Sequence, residues 1–197
     1  MPRRPATTRP FNSHMHQVLD AVTALPAGAS VLDAGCGGGA VARWLAEEGG
    51  YDVLGIDLEL PADAATHGRL ALPGGGGLQL DTGDLLHLAA EPGRRRYDAV
   101  LLFGVLHYGG SADAVRRMLR AADRLAAPSA PIGLSWICDE VPLTYEEAYL
   151  PGRHLVGAAL TALGRTRAHS SDRDITHTHG GSPVHDHRIV YEIWRRP

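Results

Sequence analysis

Nine consecutive residues, Val31-Leu-Asp-Ala-Gly-Cys-Gly-Gly-Gly39, constrain this chain more than any other stretch. Ser30–Ala34 is an apolar run of strand length, and Gly39–Glu48 places Val41, Trp44 and Leu45 on one face of a helix. The glycines stand between them. A strand that passes through a glycine-rich turn into a helix leaves backbone N–H groups at the helix N-terminus, and residues without a Cβ let a ligand come close to the backbone. Gly35, Gly37 and Ala40 satisfy Gly-x-Gly-x-x-Gly/Ala, so on the glycines alone a nicotinamide dinucleotide is one admissible ligand.

The rest of the chain continues the alternation of strand and helix. Residues 1–10 show no periodicity and are expected to form a disordered arm, with one domain over 11–197. Asn12–Leu25 reads as a helix with Asn12 or Ser13 as its cap and Val18, Leu19, Val22 and Leu25 as its apolar stripe. Strands are predicted at Tyr51–Asp57, Leu78–Asp81, Tyr97–Phe103 and Pro131–Cys138, and helices at Ala62–Leu72 and Ala112–Ala126. Thr144 and Glu147 suggest a capping box before Pro151, and a second apolar segment runs from His154 to Leu163. Asp172–His179 and His185–Trp194 read as two strands joined by Gly180-Gly-Ser-Pro-Val184. A link that short closes only an antiparallel hairpin, because a parallel crossover needs about a dozen residues or more. The fold class is therefore α/β, with a mostly parallel sheet and one reversed strand near the end.

Asp33 separates the ligand readings. A carboxylate two residues before the first glycine would repel a pyrophosphate, whereas it suits a ligand carrying a sulfonium and an ammonium. With Gly39 the turn becomes Asp-x-Gly-x-Gly-x-Gly, which resembles motif I of class I S-adenosylmethionine-dependent methyltransferases. Gly55-Ile-Asp57 and Gly83-Asp84-Leu85 follow the second and third strands, and Tyr97–Tyr108 resembles the fourth-strand segment of that family. The resemblance covers Val31 to Cys138 in order and spacing. It implies a doubly wound, seven-stranded sheet of order 3-2-1-4-5-7-6 with strand 7 antiparallel, and S-adenosylmethionine as the donor, left as S-adenosylhomocysteine. It also implies a cofactor site of Asp33, Gly35, Cys36, Gly37, Gly39, Asp57, Leu58, Asp84, Leu85 and Phe103. Asp57 would hold the ribose hydroxyls, and the acid after the third strand would meet the adenine amino group.

The acceptor half is read from histidines. His14 and His16 lie on the first helix, His107 with Tyr108 follows the fourth strand, and His177, His179, His185 and His187 occupy the final hairpin. Spacing by two puts each hairpin pair on one face, with Asp186 on the other; His179 is expected opposite His185, and His177 opposite His187. Three readings stand: packing only, a polar substrate pocket with a general base such as His107, or a metal site at His177, His179, His185 and His187. A metal is not expected. Cys138 and Trp136 read as buried strand residues, and Tyr145, Tyr149, Glu146 and Glu147 lie in the segment after strand five where the family places substrate-selecting insertions. The tail, Thr176–His179 and His187–Arg196, loosely resembles the closing hairpin of small tellurite-resistance-type methyltransferases, which implies a small thiol, hydroxyl, amine or oxyanion acceptor, in secondary metabolism or detoxification. Two rivals remain: a metal-dependent methyltransferase, and a donor-binding subunit without catalysis.

Composition narrows the partners. The 197 residues carry a formal charge of −3, so nothing draws the whole chain to nucleic acid, and the motifs of base-modifying enzymes are absent. No run approaches the roughly 20 apolar residues of a membrane span. Two cysteines make no disulfide framework, and the first residues lack an apolar leader core, so the cytoplasm is the expected location.

Overall fold

The computed structural model describes residues 11–66, 68–138, 149–177 and 184–197. Its centre is an eight-stranded sheet of β1 (Ser30–Ala34), β2 (Asp52–Asp57), β3 (Leu70–Ala71), β4 (Gly77–Thr82), β5 (Ala99–Phe103), β6 (Ile132–Cys138), β7 (Thr166–His177) and β8 (His185–Arg195). The strand order is β3-β4-β2-β1-β5-β6-β8-β7. β4, β2, β1, β5 and β6 pair in parallel, while β8 runs antiparallel to both β6 and β7. Without the two-residue edge strand β3, this is the order expected from the sequence.

Five helices flank the sheet: α1 (Ser13–Thr23), α2 (Ala40–Gly49), α3 (Leu85–Ala90), α4 (Ala112–Leu125) and α5 (Arg153–Ala162). On one face Leu19, Val22, Ala42 and Leu45 of α1 and α2 pack on Val31, Val53, Leu78 and Leu101. On the other, Leu88, Val115, Leu119, Val156 and Leu160 of α3, α4 and α5 pack on Leu32, Val100, Leu134 and Val190. β1 is buried throughout, as a central strand covered on both sides must be.

Three sequence expectations are corrected. Ala62–Leu72 is not a helix: it holds a turn after Pro61, and Gly68 takes φ +92°. Its hydrogen bonds go to β4 instead, Thr66 N–H to the Leu80 carbonyl at 3.1 Å and Leu80 N–H to Thr66 Oγ1 at 2.9 Å. The hairpin is longer and shifted, because β7 starts at Thr166; His177 pairs with His185 and Ile175 with His187. Helix α3 is an addition to the expected elements, being a single apolar cluster too short to show periodicity. Residues 1–10, His179, Tyr145 and the Thr144–Glu147 box lie outside the described residues.

Candidate functional site

The parallel strands end together, and the glycine-rich turn is folded over that edge. Gly35, Gly37 and Gly39 have φ of +78°, +52° and +77°, a region that side chains with a Cβ rarely adopt. Gly35 and Cys36 donate to the Ile56 carbonyl at 2.7 and 3.0 Å, which ties the turn to the end of β2. Gly37 N–H then donates to Asp57 Oδ2 at 2.8 Å, and Glu59 N–H donates to Asp57 Oδ1 at 3.1 Å. The strand-end carboxylate is thus oriented by backbone before any ligand arrives.

Beside this turn lies a cavity of about 790 Å³ lined by Ala34, Gly35, Gly37, Ile56, Asp57, Leu58, Glu59, Gly83, Asp84, Leu85, Leu86, Gly104, Val105, Tyr108, Gly109, Ala114 and Met118. Among the described residues its charged side chains are Asp57, Glu59 and Asp84, with no Lys or Arg. Such a wall disfavours a pyrophosphate and suits a cation. Asp84 also caps α3, because its Oδ1 accepts from Leu86 N–H at 2.6 Å and His87 N–H at 3.0 Å.

Of the residues expected at the cofactor site, Gly35, Gly37, Asp57, Leu58, Asp84 and Leu85 line the cavity, and Asp33, Cys36, Gly39 and Phe103 do not. Asp33 is buried directly below the turn, with Oδ2 lacking a hydrogen-bond partner. Burial pushes its carboxyl up to about 7. Burial also pushes the Cys36 thiol up to about 12, helped by the charges of Asp33 and Asp57, so the thiol stays protonated. Gly39 opens α2, and a Cβ on it would meet Leu80 Cδ1 at 2.4 Å. Phe103 faces α1, packed beside Met15.

The acceptor-side residues divide. Tyr108 lines the cavity and is 81% exposed, and the His107 ring rests against it at 4.4 Å between centroids. His107 itself is off the cavity wall; burial lowers its pKa to about 4, and its Nδ1 has no partner. His16 is a packing residue between Phe11 and Trp44, accepting from Phe11 N–H at 3.3 Å. The His14 ring stacks on Tyr191 at 5.6 Å, and Asn12 Nδ2 donates to the Tyr191 hydroxyl at 3.2 Å. β8 presents Tyr191 and Ile193 to α1, and its two-residue period puts His185 and His187 on that same face. Register pairing of Arg188 with Cys138 carries both histidines to the carboxyl end of the parallel strands.

Sequence reasoning missed Val105, Gly109, Ala114 and Met118 on the cavity wall, and Tyr191 beside His14. Gly109 meets α4, which bears Ala114 and Met118, because the 3-10 turn Leu106–Gly109 packs against that helix. Tyr191 carried a signal, being in phase with His185 and His187.

A family model described as a methyltransferase domain matches residues 31–129. The chain belongs to this family. It is a class I, S-adenosylmethionine-dependent methyltransferase. A search of curated proteins found no match. Among solved structures, a methyltransferase from Methanosarcina mazei is similar at TM-score 0.67 and 15% identity, over 94% of this chain and 98% of that one. TehB from Haemophilus influenzae gives 0.69 and 13%, over 98% and 64%. The 1,6-didemethyltoxoflavin-N1-methyltransferase of Burkholderia thailandensis gives 0.63 and 19%, over 94% and 79%. At these identities the likeness is one of fold. No helix among the described residues is long and apolar enough to cross a membrane.

Proposed function

We propose that this chain transfers a methyl group to a small-molecule acceptor, and that the cavity at the carboxyl ends of β1, β2, β4 and β5 holds the nucleoside part of the donor. The observation that carries the reading is the cavity wall, which among the described residues combines an apolar slot with three carboxylates and no basic side chain. Asp57 would accept both ribose hydroxyls, its orientation fixed by Gly37 and Glu59 N–H. Leu58, Leu85 and Met118 would supply the apolar contacts for the base, and Asp84 would offer the oxygen it does not use in capping. Asp33, buried and off the cavity wall, would favour the cationic end through its field when ionised. S-adenosylmethionine, when bound, supplies a methyl group already activated by its sulfonium. The protein's part is then mainly proximity and orientation. A base is needed only if the acceptor must lose a proton, and His107, kept neutral by burial, is the candidate.

The acidic wall and the formal charge of −3 support a small acceptor over nucleic acid. The likeness to the 1,6-didemethyltoxoflavin-N1-methyltransferase is consistent with that class. In calorimetry Asp57→Ala is expected to weaken donor binding by about tenfold or more, since it removes a charged acceptor of two hydrogen bonds; unchanged affinity sinks the cofactor assignment. Transfer of labelled methyl to thiol, hydroxyl, amine and oxyanion acceptors, with transfer RNA and bulk protein as comparisons, tests the acceptor class. Donor binding with no transfer to any of them returns the chain to the non-catalytic subunit reading.

A further inference from the structure

Among the described residues five large apolar side chains are exposed: Leu58, Leu70, Leu86, Tyr108 and Val184. Three of them, Leu58 at 67%, Leu86 at 37% and Tyr108 at 81%, line the cavity assigned above to the donor. Exposed apolar surface gathered at a cavity marks a place where a ligand covers it. Tyr108 is the most exposed of the three and the one that carries a ring.

The backbone that carries Tyr108 is held in place. It forms the 3-10 turn Leu106–Gly109, flanked by Gly104 and Gly110 with φ of +69° and +71°. Leu106 is fully buried in the core on the α3 and α4 side, and Tyr108 N–H donates to the Val105 carbonyl at 3.0 Å. Gly109 lies so close to α4 that a Cβ on it would meet Val115 Cγ2 at 3.3 Å and Met118 Sδ at 3.4 Å. The side chain projects from this turn, braced by the His107 ring at 4.4 Å between centroids. The turn also decides which end of the cavity Tyr108 serves. It packs on the helix that bears Ala114 and Met118, whereas Met15, Phe103 and Tyr191 of the acceptor side lie on the opposite face of the sheet, under α1. The sequence groups Tyr108 with the acceptor histidines; the fold sets it beside the proposed apolar contacts of the base.

We propose that Tyr108 is a donor-binding residue, whose ring would stack on the purine and, with Leu58 and Leu86, cover the mouth of the cavity. A purine and a phenol ring each present a π-face, and stacking between such faces needs no hydrogen bond from the hydroxyl. An exposed side chain turns about its own bonds within nanoseconds, so the backbone of the turn need not move. The inference rests on the reading that this cavity holds the nucleoside part of the donor. It separates the roles of two neighbours: Tyr108 belongs to the base, and His107 remains the candidate for acceptor chemistry. Because S-adenosylmethionine and S-adenosylhomocysteine carry the same base, loss of the ring weakens both by the same factor.

Calorimetric titration with S-adenosylhomocysteine of the wild-type chain, Tyr108→Phe, Tyr108→Leu, Tyr108→Ala and Asp57→Ala tests the proposal. Tyr108→Phe is expected to keep wild-type affinity, and Tyr108→Ala and Tyr108→Leu to weaken it by about tenfold. Thermal unfolding without ligand should be the same in all three Tyr108 variants, since the side chain is exposed. Tyr108→Trp supplies a second readout: its added emission, taken against wild type, should be quenched as the ligand binds. Undiminished affinity in Tyr108→Ala beside weakened affinity in Asp57→Ala overturns the role of Tyr108 and leaves the donor site standing. Wild-type affinity in Tyr108→Leu overturns the stacking. No binding by the wild-type chain, or equal binding by Asp57→Ala, removes the donor-site reading and this inference with it.

Discussion

Gly35 and Asp33 are two residues apart and are constrained for opposite reasons. Gly35 needs the absence of a side chain: its φ is +78°, and a Cβ would lie 2.3 Å from Val105 Cγ2. Gly35→Ala should therefore lose about 1–2 kcal/mol from backbone strain, with a further loss from displacing Val105, a cavity-wall residue. Gly37→Ala, in open space, should show the backbone cost alone. Urea unfolding of the two variants measures the difference. Asp33 is constrained by charge. Its folded pKa of about 7 exceeds its unfolded value of 3.8, so between those values the folded state binds the extra proton and stability falls as pH rises. His107 works the other way: its folded pKa of about 4 lies below 6.5, so stability falls as pH drops through that window. The two slopes oppose each other over most of the acid range. Asp33→Asn should remove the first and leave stability rising with pH up to about 6.5. Above about pH 7 the variant should exceed wild type by up to about 4 kcal/mol, the equivalent of the pKa difference. Thermal melts across that range measure it; parallel curves for the two proteins would contradict the assignment.

Among the secondary-structure elements, α1 links the sheet to the acceptor side through its first turn. Asn12 accepts from Met15 N–H at 3.0 Å, and its amide donates to the Tyr191 hydroxyl, so one side chain both caps the helix and docks it on β8. Asn12→Ala should cost about 1 kcal/mol for the cap and loosen the stacking of His14 on Tyr191. Tyr191→Phe should keep the cap and lose only the docking bond. Denaturation midpoints of the pair separate the two contributions. The cap at Asn12 is legible in the sequence because capping is local. Ala62–Leu72 marks the limit of such reading: its Ala and Leu residues favour a helix, but its backbone groups find partners in β4. The hairpin register escapes the sequence because facing partners depend on how many residues the connection holds outside the ladder, and two residues of shift exchange one histidine pairing for another.

Across the full chain, one charged group joins distant parts. Arg165, with a fully buried side chain, donates to Asp123 Oδ1 at 2.6 Å and to the Ala130 carbonyl at 2.8 Å, while Arg196 reaches Asp123 Oδ2 at 2.8 Å. This holds α4, the start of β7 and the last residues of the chain together. Burial lowers the Arg165 pKa and Asp123 offsets it. Asp123→Ala should cost about 3–5 kcal/mol because it leaves a buried guanidinium without its counter-charge. Adding Arg165→Met should recover part of the loss, and a double-mutant cycle from urea unfolding gives the coupling. No spacing rule announces this pairing, since its members lie in separate elements.

Read alone, the amino-acid order specifies local chemistry with global consequences. The glycines of the turn, the acids at the ends of β2 and β4, and the alternation of strand and helix pointed to an α/β fold with a mostly parallel sheet and carried the resemblance that implied its strand order and S-adenosylmethionine as donor, because each signal depends on neighbours within a few residues. Tertiary contacts settled the rest. They buried Asp33 below the turn instead of on the cavity wall, gave Asp84 a capping role, moved His16 into packing, brought Val105 and Met118 to the cavity, and closed His185 on His187. Each of these follows from contacts between residues brought together by the fold, and burial and field are set only when those contacts form.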